Sequence, residues 1–165
     1  MRVLSSLLVL VPFLFAGAAW AQAAPDTQTV SCNFDDNMQI SVQYVSEIPK
    51  GKEPKNGAVW APGGAPMTLF TQTPVVINNV TIPVGAFSMF AIPGKNAWTL
   101  VVNRNVTAGS SYDVAQDMVR APMEVGDLSE PLKELKVSFA HVGAKQCNIR
   151  LYYGKVGAFA DIGEK

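Results

Sequence analysis

Between Thr73 and Asn103 the chain reads TPVVINNVTIPVGAFSMFAIPGKNAWTLVVN, and no other stretch constrains the fold as strongly. Val75, Val76 and Ile77 are β-formers, and Asn78-Asn79 is a turn pair whose short amide side chains tolerate left-handed backbone. Val80-Thr81-Ile82 resumes a strand, and Pro83 with Gly85 marks a bend. Phe87, Met89 and Ala91 then alternate with Ser88, Phe90 and Ile92. Pro93-Gly94-Lys95-Asn96 is a turn. Beyond it Trp98, Leu100 and Val102 alternate with Thr99, Val101 and Asn103. A period of two on both flanks is the signature of strands. The pattern fixes a fold class and leaves the chemistry open.

The rest of the chain reads the same way. Gln28 to Phe34 and Met38 to Val45 are strands joined by a tight Asp35-Asp36-Asn37 turn, and Met67 to Thr73 is another. Ser46 to Gly57 and Ala61 to Pro66 are irregular, Arg104 to Ser111 is a polar loop, and Tyr112 to Gln116 has room for one helical turn. Asp117 to Val125 is a strand interrupted by Pro122, which suits an edge or a bulge. Lys133 to His141 and Gln146 to Tyr153 alternate cleanly, and Val156 to Ile162 is a weaker last strand. About eight or nine short strands with almost no helix predict an all-β, antiparallel two-sheet sandwich, with jelly-roll connections as one form of it. The expected core is Phe70, Phe87, Phe90, Trp98, Leu100, Leu135, Val137, Phe139 and Leu151.

Residues 1–21 read as a cleavable signal peptide. Arg2 gives the positive start, Val3 to Phe15 is nearly all apolar, and Ala19-Trp20-Ala21 is an A-x-A box. The apolar run is shorter than the roughly 20 residues of a spanning helix, so the mature chain is expected to carry no membrane anchor. Residues 22–165 form one domain of about 144 residues, enough for one core. Its location is expected to be periplasmic or secreted. Without Arg2, twelve cationic residues face thirteen acidic ones. So even a balance supplies no basic field for nucleic acid, and nucleic-acid binding is not expected. The two cysteines, Cys32 and Cys147, are expected to pair in an oxidising compartment; two separate buried thiols are the competing reading. A bridge between them would close nearly the whole domain and contribute about 4–5 kcal/mol.

Pro83-Val-Gly-Ala-Phe-Ser-Met-Phe-Ala-Ile-Pro-Gly94 followed by Lys-Asn-Ala-Trp98-Thr-Leu-Val-Val-Asn103 resembles the central signature of the bacterial "domain of unknown function 2911" family. Tyr112, Asp117 and Arg120 are similar to that family's Tyr…Asp…Arg segment, and Val59-Trp60 with Gly63 resembles its V-W-R-x-G-A-N-E segment. The resemblance runs from Val30 to Ile162 and implies an exported β-domain without an established activity. This chain departs from the pattern where the family's Arg, Asn and Glu correspond to Ala61, Ala65 and Pro66, so chemistry housed there would be lost.

Motifs for catalysis are sparse. There is no G-x-S-x-G elbow and no H-E-x-x-H, and the single histidine, His141, cannot by itself build a His-rich metal site. Asp35-Asp36-Asn37 lacks the ligand spacing of a calcium loop. No metal or other cofactor is expected. The polar constellation worth weighing is Tyr112, Asp113, Asp117 and Arg120. It reads either as a small acidic and aromatic ligand site or as a structural ion pair that pins a loop to a sheet. Arg120 sits among Met118, Val119, Ala121 and Pro122, so it is expected to pair with Asp117 or Asp113 and to order the loop from Arg104 to Gln116. Trp98 lies on an apolar stripe, and Trp60, beside a Pro/Gly segment, is the better candidate for an exposed ring. The leading expectation is a non-catalytic domain that binds a small molecule, glycan or protein. The alternatives are a hydrolase using Asp113, Asp117 and Tyr112, and a structural protein of an envelope assembly.

Overall fold

The computed structural model describes residues 26–165. The expected signal peptide and its processing point at Gln22 lie outside the described residues. Nine strands form: β1 (Thr27–Asn33), β2 (Gln39–Val45), β3 (Met67–Thr71), β4 (Val75–Ile77), β5 (Val80–Ile82), β6 (Gly85–Ile92), β7 (Trp98–Asn103), β8 (Asp117–Gly143) and β9 (Gln146–Glu164). The described helical structure is two single 3-10 turns, Pro62–Gly64 and Val114–Gln116. The turns fall where their chemistry directs. Asn37, Asn78 and Asn79 all take positive φ, at 68°, 47° and 62°. The Asp36 carboxylate accepts from the Met38 amide at 3.0 Å, closing the first hairpin.

The strands make one antiparallel sheet in the order β1-β2-β3-β6-β7-β8-β9-β4-β5. The expected sandwich of two separate sheets is therefore corrected, and so is the jelly-roll connectivity, because the order is a meander from which only the β4–β5 hairpin departs. The physical reason is the length of β8 and β9. β8 pairs with β7 over Asp117–Met123, then with β9 from Glu124 to Gly143. The ladder passes unbroken from one limb of the sheet to the other. The sequence divides this ribbon into separate strands between Val125 and Lys133 and between Tyr153 and Val156, but those gaps mark a bend in a continuing ribbon. Register shifts between Asp127 and Leu132 and between Leu132 and Lys136 make that bend.

The ribbon folds back sharply. Asn148 and Asp161 belong to the same strand and would stand roughly 43 Å apart if it were straight, yet Asn148 Nδ2 donates to Asp161 Oδ1 at 2.9 Å. The Glu164 amide likewise donates to the Lys145 carbonyl at 2.8 Å. At the other end of the sheet, β1 is tied to β9 by the Cys32–Cys147 disulfide. Two backbone bonds flank that tie, Asp35 N to Ala144 O at 3.0 Å and Leu135 N to Ser46 O at 2.8 Å. The sheet has thus rolled until its first hairpin meets the far half of the β8–β9 ribbon.

The core fills the roll. Ile40, Val42, Leu69, Met89, Leu100, Val102, Val137, Ile149 and Leu151 are all buried. Of the expected core, Phe87, Phe90, Trp98, Leu100, Leu135, Val137 and Leu151 are buried, and Phe139 packs partly buried against it. Phe70 is corrected: it alternates outward between buried Leu69 and Thr71 and is 36 % exposed. Pro122 lies where β8 has a strand neighbour on one side only, so its missing N–H is tolerated.

Candidate functional site

The alternation of β6, β7 and β8 sends one set of side chains out of the roll. Register aligns Phe90, Val101 and Arg120 in one row across the three strands, and Ser88, Asn103 and Asp117 in the next. A shift in register between Val102 and Asn103 re-aims the second row. The loop between β7 and β8 folds back over these rows. It is closed by Arg104 N to Gln116 O at 2.9 Å and fastened by Ser88 Oγ to Asn105 O at 2.6 Å. Beneath it Phe90 and Val101 are buried although they face away from the main core.

Tyr112 crowns this outer layer. Its ring meets Phe90 edge-on with centroids 5.0 Å apart. Its hydroxyl donates to Asp117 Oδ2 at 2.5 Å and accepts from Arg120 Nη2 at 2.7 Å. Arg120 Nε donates to the same Asp117 oxygen at 2.8 Å. Asp117 Oδ1 accepts from Asn103 Nδ2 at 2.8 Å, and that amide also donates to the Asp113 carbonyl. Of the two partners the sequence left open for Arg120, Asp117 and Asp113, the pair forms with Asp117. Asp113 stays outside the cluster: its carboxylate caps the 3-10 turn by accepting from the Ala115 amide at 2.9 Å. Asn103, 1 % exposed, is the hub that sequence reading passes over, because an Asn at the end of an alternating strand looks like a solvent-facing residue.

The electrostatics follow from this packing. Desolvation alone would push the Asp117 carboxyl up, but the hydrogen bonds from Tyr112, Asn103 and Arg120 and the guanidinium charge outweigh it and hold it below its ordinary value. Desolvation, then the bond to Asp117, pushes the Tyr112 phenol up. The bonds to Asp117 and Tyr112 raise Arg120 further. Every oxygen of the Asp117 carboxylate is already committed. As built, the cluster is a clasp that fixes the loop.

Trp60 corrects the expectation of an exposed ring. It is 5 % exposed, pairs as an isolated bridge with Ala91, and packs against Trp98 at 5.9 Å and Tyr153 at 5.5 Å. Its indole N–H is satisfied by the Lys52 carbonyl at 2.8 Å. Trp60 and Tyr112 thus lie on opposite sides of the sheet, one in the main core and one over the outer layer, and they do not form a common groove.

A groove opens elsewhere, in the crook of the folded ribbon. It encloses about 370 Å³ and is lined by Gly126, Asp127, Leu128, Val142, Asn148, Arg150, Tyr152, Gly157, Ala158 and Phe159. Gly126 and Gly157 face each other across the ladder and leave its floor bare. A Cβ on Gly157 would stand 3.1 Å from the Tyr152 ring. Arg150 is half-buried, and its Nε donates to Asn148 Oδ1 at 2.9 Å while Asn148 Nδ2 is held by Asp161. The alternation of Gln146 to Tyr153 puts Asn148 and Arg150 on the face opposite the apolar row of Ile149, Leu151 and Tyr153. The fold-back of the strand turns that face onto its own second half, which period-two reading cannot reveal. The one cue is the pair of glycines inside strands.

A family model described as "Protein of unknown function (DUF2911)" matches residues 25–162 of the chain. No curated protein and no solved structure matches it.

Proposed function

We propose a binding role for this chain, which belongs to the family of proteins of unknown function DUF2911. The reading is of an exported, non-catalytic β-domain that holds a small molecule in the crook of the β8–β9 ribbon. The observation that carries it is the groove itself: a cavity of about 370 Å³ with an apolar floor and a single oriented guanidinium, that of Arg150. Ligand sites span about 300–1,000 Å³ and combine apolar walls with a few placed polar groups. Export is supported by the Cys32–Cys147 bridge, since such bridges persist in oxidising compartments. Among the described residues no helix is long and apolar enough to cross a membrane.

The hydrolase alternative would need Asp113 and Asp117 to converge on a substrate. Asp113 is spent on a backbone cap, and both oxygens of Asp117 already accept hydrogen bonds, from Tyr112, Arg120 and Asn103. That geometry favours the structural reading of the cluster. A fragment screen read by amide chemical shifts on the chain starting at Gln22 tests the proposal. Hits should move Gly126, Asn148 and Gly157 together. Hits that cluster on the Arg104–Gln116 loop instead would move the site to the Tyr112 cluster and end this assignment.

A further inference from the structure

The geometry points to a ligand of defined chemistry for the ribbon groove: an amphipathic monoanion, a carboxylate or similar head on an apolar body. This rests on the groove being the binding site. Three observations on the groove lead to the anion. First, Arg150 spends one N–H on Asn148 and forms no ion pair among the described residues. A half-buried guanidinium without a counter-charge is a standing demand for an anion, and its planar fork suits a carboxylate bidentately. Second, the fork is pre-aimed. Asp161 holds Asn148, and Asn148 holds Arg150, so the remaining donors of Arg150 are held before a ligand arrives. Third, the Asn148 side chain is 6 % exposed and already uses one N–H on Asp161 and one lone pair for Arg150, so it offers a sugar hydroxyl little.

The body of the ligand follows from the walls. Leu128, Tyr152 and Phe159 present carbon, and the facing glycines Gly126 and Gly157 leave a strip of bare backbone for a chain or ring to lie on. Asp127 also lines the groove and is exposed. It forms no ion pair with Arg150, and it disfavours a second negative charge on the ligand, which is why the inference is a monoanion.

The test uses decanoate, decanol and decyltrimethylammonium below their micelle concentrations, titrated at pH 7.5 into the chain starting at Gln22 and followed by the amide shifts of Gly126 and Gly157. Decanoate is expected to bind at least about tenfold more tightly than decanol. Arg150→Gln should remove that advantage and leave decanol unchanged, with an amide spectrum elsewhere identical to the parent. Arg150→Lys should recover only part of it. Equal binding of decanoate and decanol to the parent chain overturns the anion and leaves the groove as a plain apolar site. Tighter binding of the cation overturns it too, since Asp127 would then rule the site. Shifts absent from the groove with all three probes defeat both this inference and the binding site it rests on. The comparison among probes on the parent chain stands even if a variant does not fold.

Discussion

The clasp over the outer face makes an asymmetric prediction. The Asp117 side chain is 11 % exposed and the Arg120 side chain 45 %. Asp117→Ala removes an acceptor used by Tyr112, Arg120 and Asn103 at once. The two well-covered bonds, from Tyr112 and Asn103, go to a charged acceptor and are worth about 1.5 kcal/mol each at the lower end of their range. The Arg120 contribution is screened by solvent to under about 1 kcal/mol. The sum is a loss of about 3–4 kcal/mol. Arg120→Ala leaves the Tyr112–Asp117 and Asn103–Asp117 bonds in place and should cost about 1 kcal/mol, with a coupling between the two substitutions of about 0.5–1 kcal/mol in the double mutant. Urea melts at pH 7 give the four stabilities. Hydrogen exchange at the Arg104 amide, which bonds the Gln116 carbonyl at the loop's neck, reports whether the loop loosens first. Equal costs for the two single variants, or strict additivity, would refute the view that a half-buried carboxylate does the holding and an exposed guanidinium only assists.

The pH dependence of stability should carry two signatures. Asp117 is depressed in the folded chain, so its contribution is full above its ordinary value of 3.8 and is lost as pH falls through the lower folded value. Tyr112 is raised, so its contribution is full below its ordinary value of 10.0 and is lost as pH climbs through the higher folded value. Asp117→Asn should flatten the acid limb and Tyr112→Phe the alkaline limb in thermal melts across pH. An acid limb unchanged in Asp117→Asn would sink the first assignment. Replacing both cysteines by serine opens a loop whose ends are 115 residues apart and should cost about 5 kcal/mol in the chain-entropy account. A loss under about 1 kcal/mol in urea would mean that the β1–β9 contact holds without the bond.

The sequence made the strands legible and the layering illegible, and particular residues show why. Alternation from Phe87 to Ile92 and from Trp98 to Asn103 located β6 and β7, and Asn78-Asn79 located a turn, because these are local rules of sterics and periodicity. The separation of Lys133–His141 from Asp117–Val125 failed as a strand boundary. Gly126 and Pro131 punctuate a bend and a chain reversal alike, and only long-range pairing distinguishes them. The Arg120–Asp117 pair was legible because an arginine among apolar neighbours needs a nearby acid. The setting of Arg150 was not, because Asn148, which holds it, is itself held by Asp161 through a fold of the strand. Phe70 was misplaced for the simplest reason: an aromatic residue is a weaker signal than its phase in the alternation.

A sheet that never divides has another consequence, for solubility. Two separate sheets would present four open edges, each a template for pairing with another chain. Among the described residues the continuous β8–β9 ribbon leaves two terminal strands, β1 and β5, beside the stretches of β8 and β9 that are paired on one side only. β5 is three residues long, too short to seed a partner strand. β1 is longer, but Gln28, Thr29, Ser31 and Asn33 are all exposed and polar on it, and Cys32 pins it against β9. Where β8 lacks a neighbour ahead of Glu124, the Asn78 side chain occupies the Arg120 carbonyl at 3.1 Å. A chain with so much strand and so little helix is thereby guarded against edge-to-edge aggregation by its connectivity and by the neutral polar face of β1.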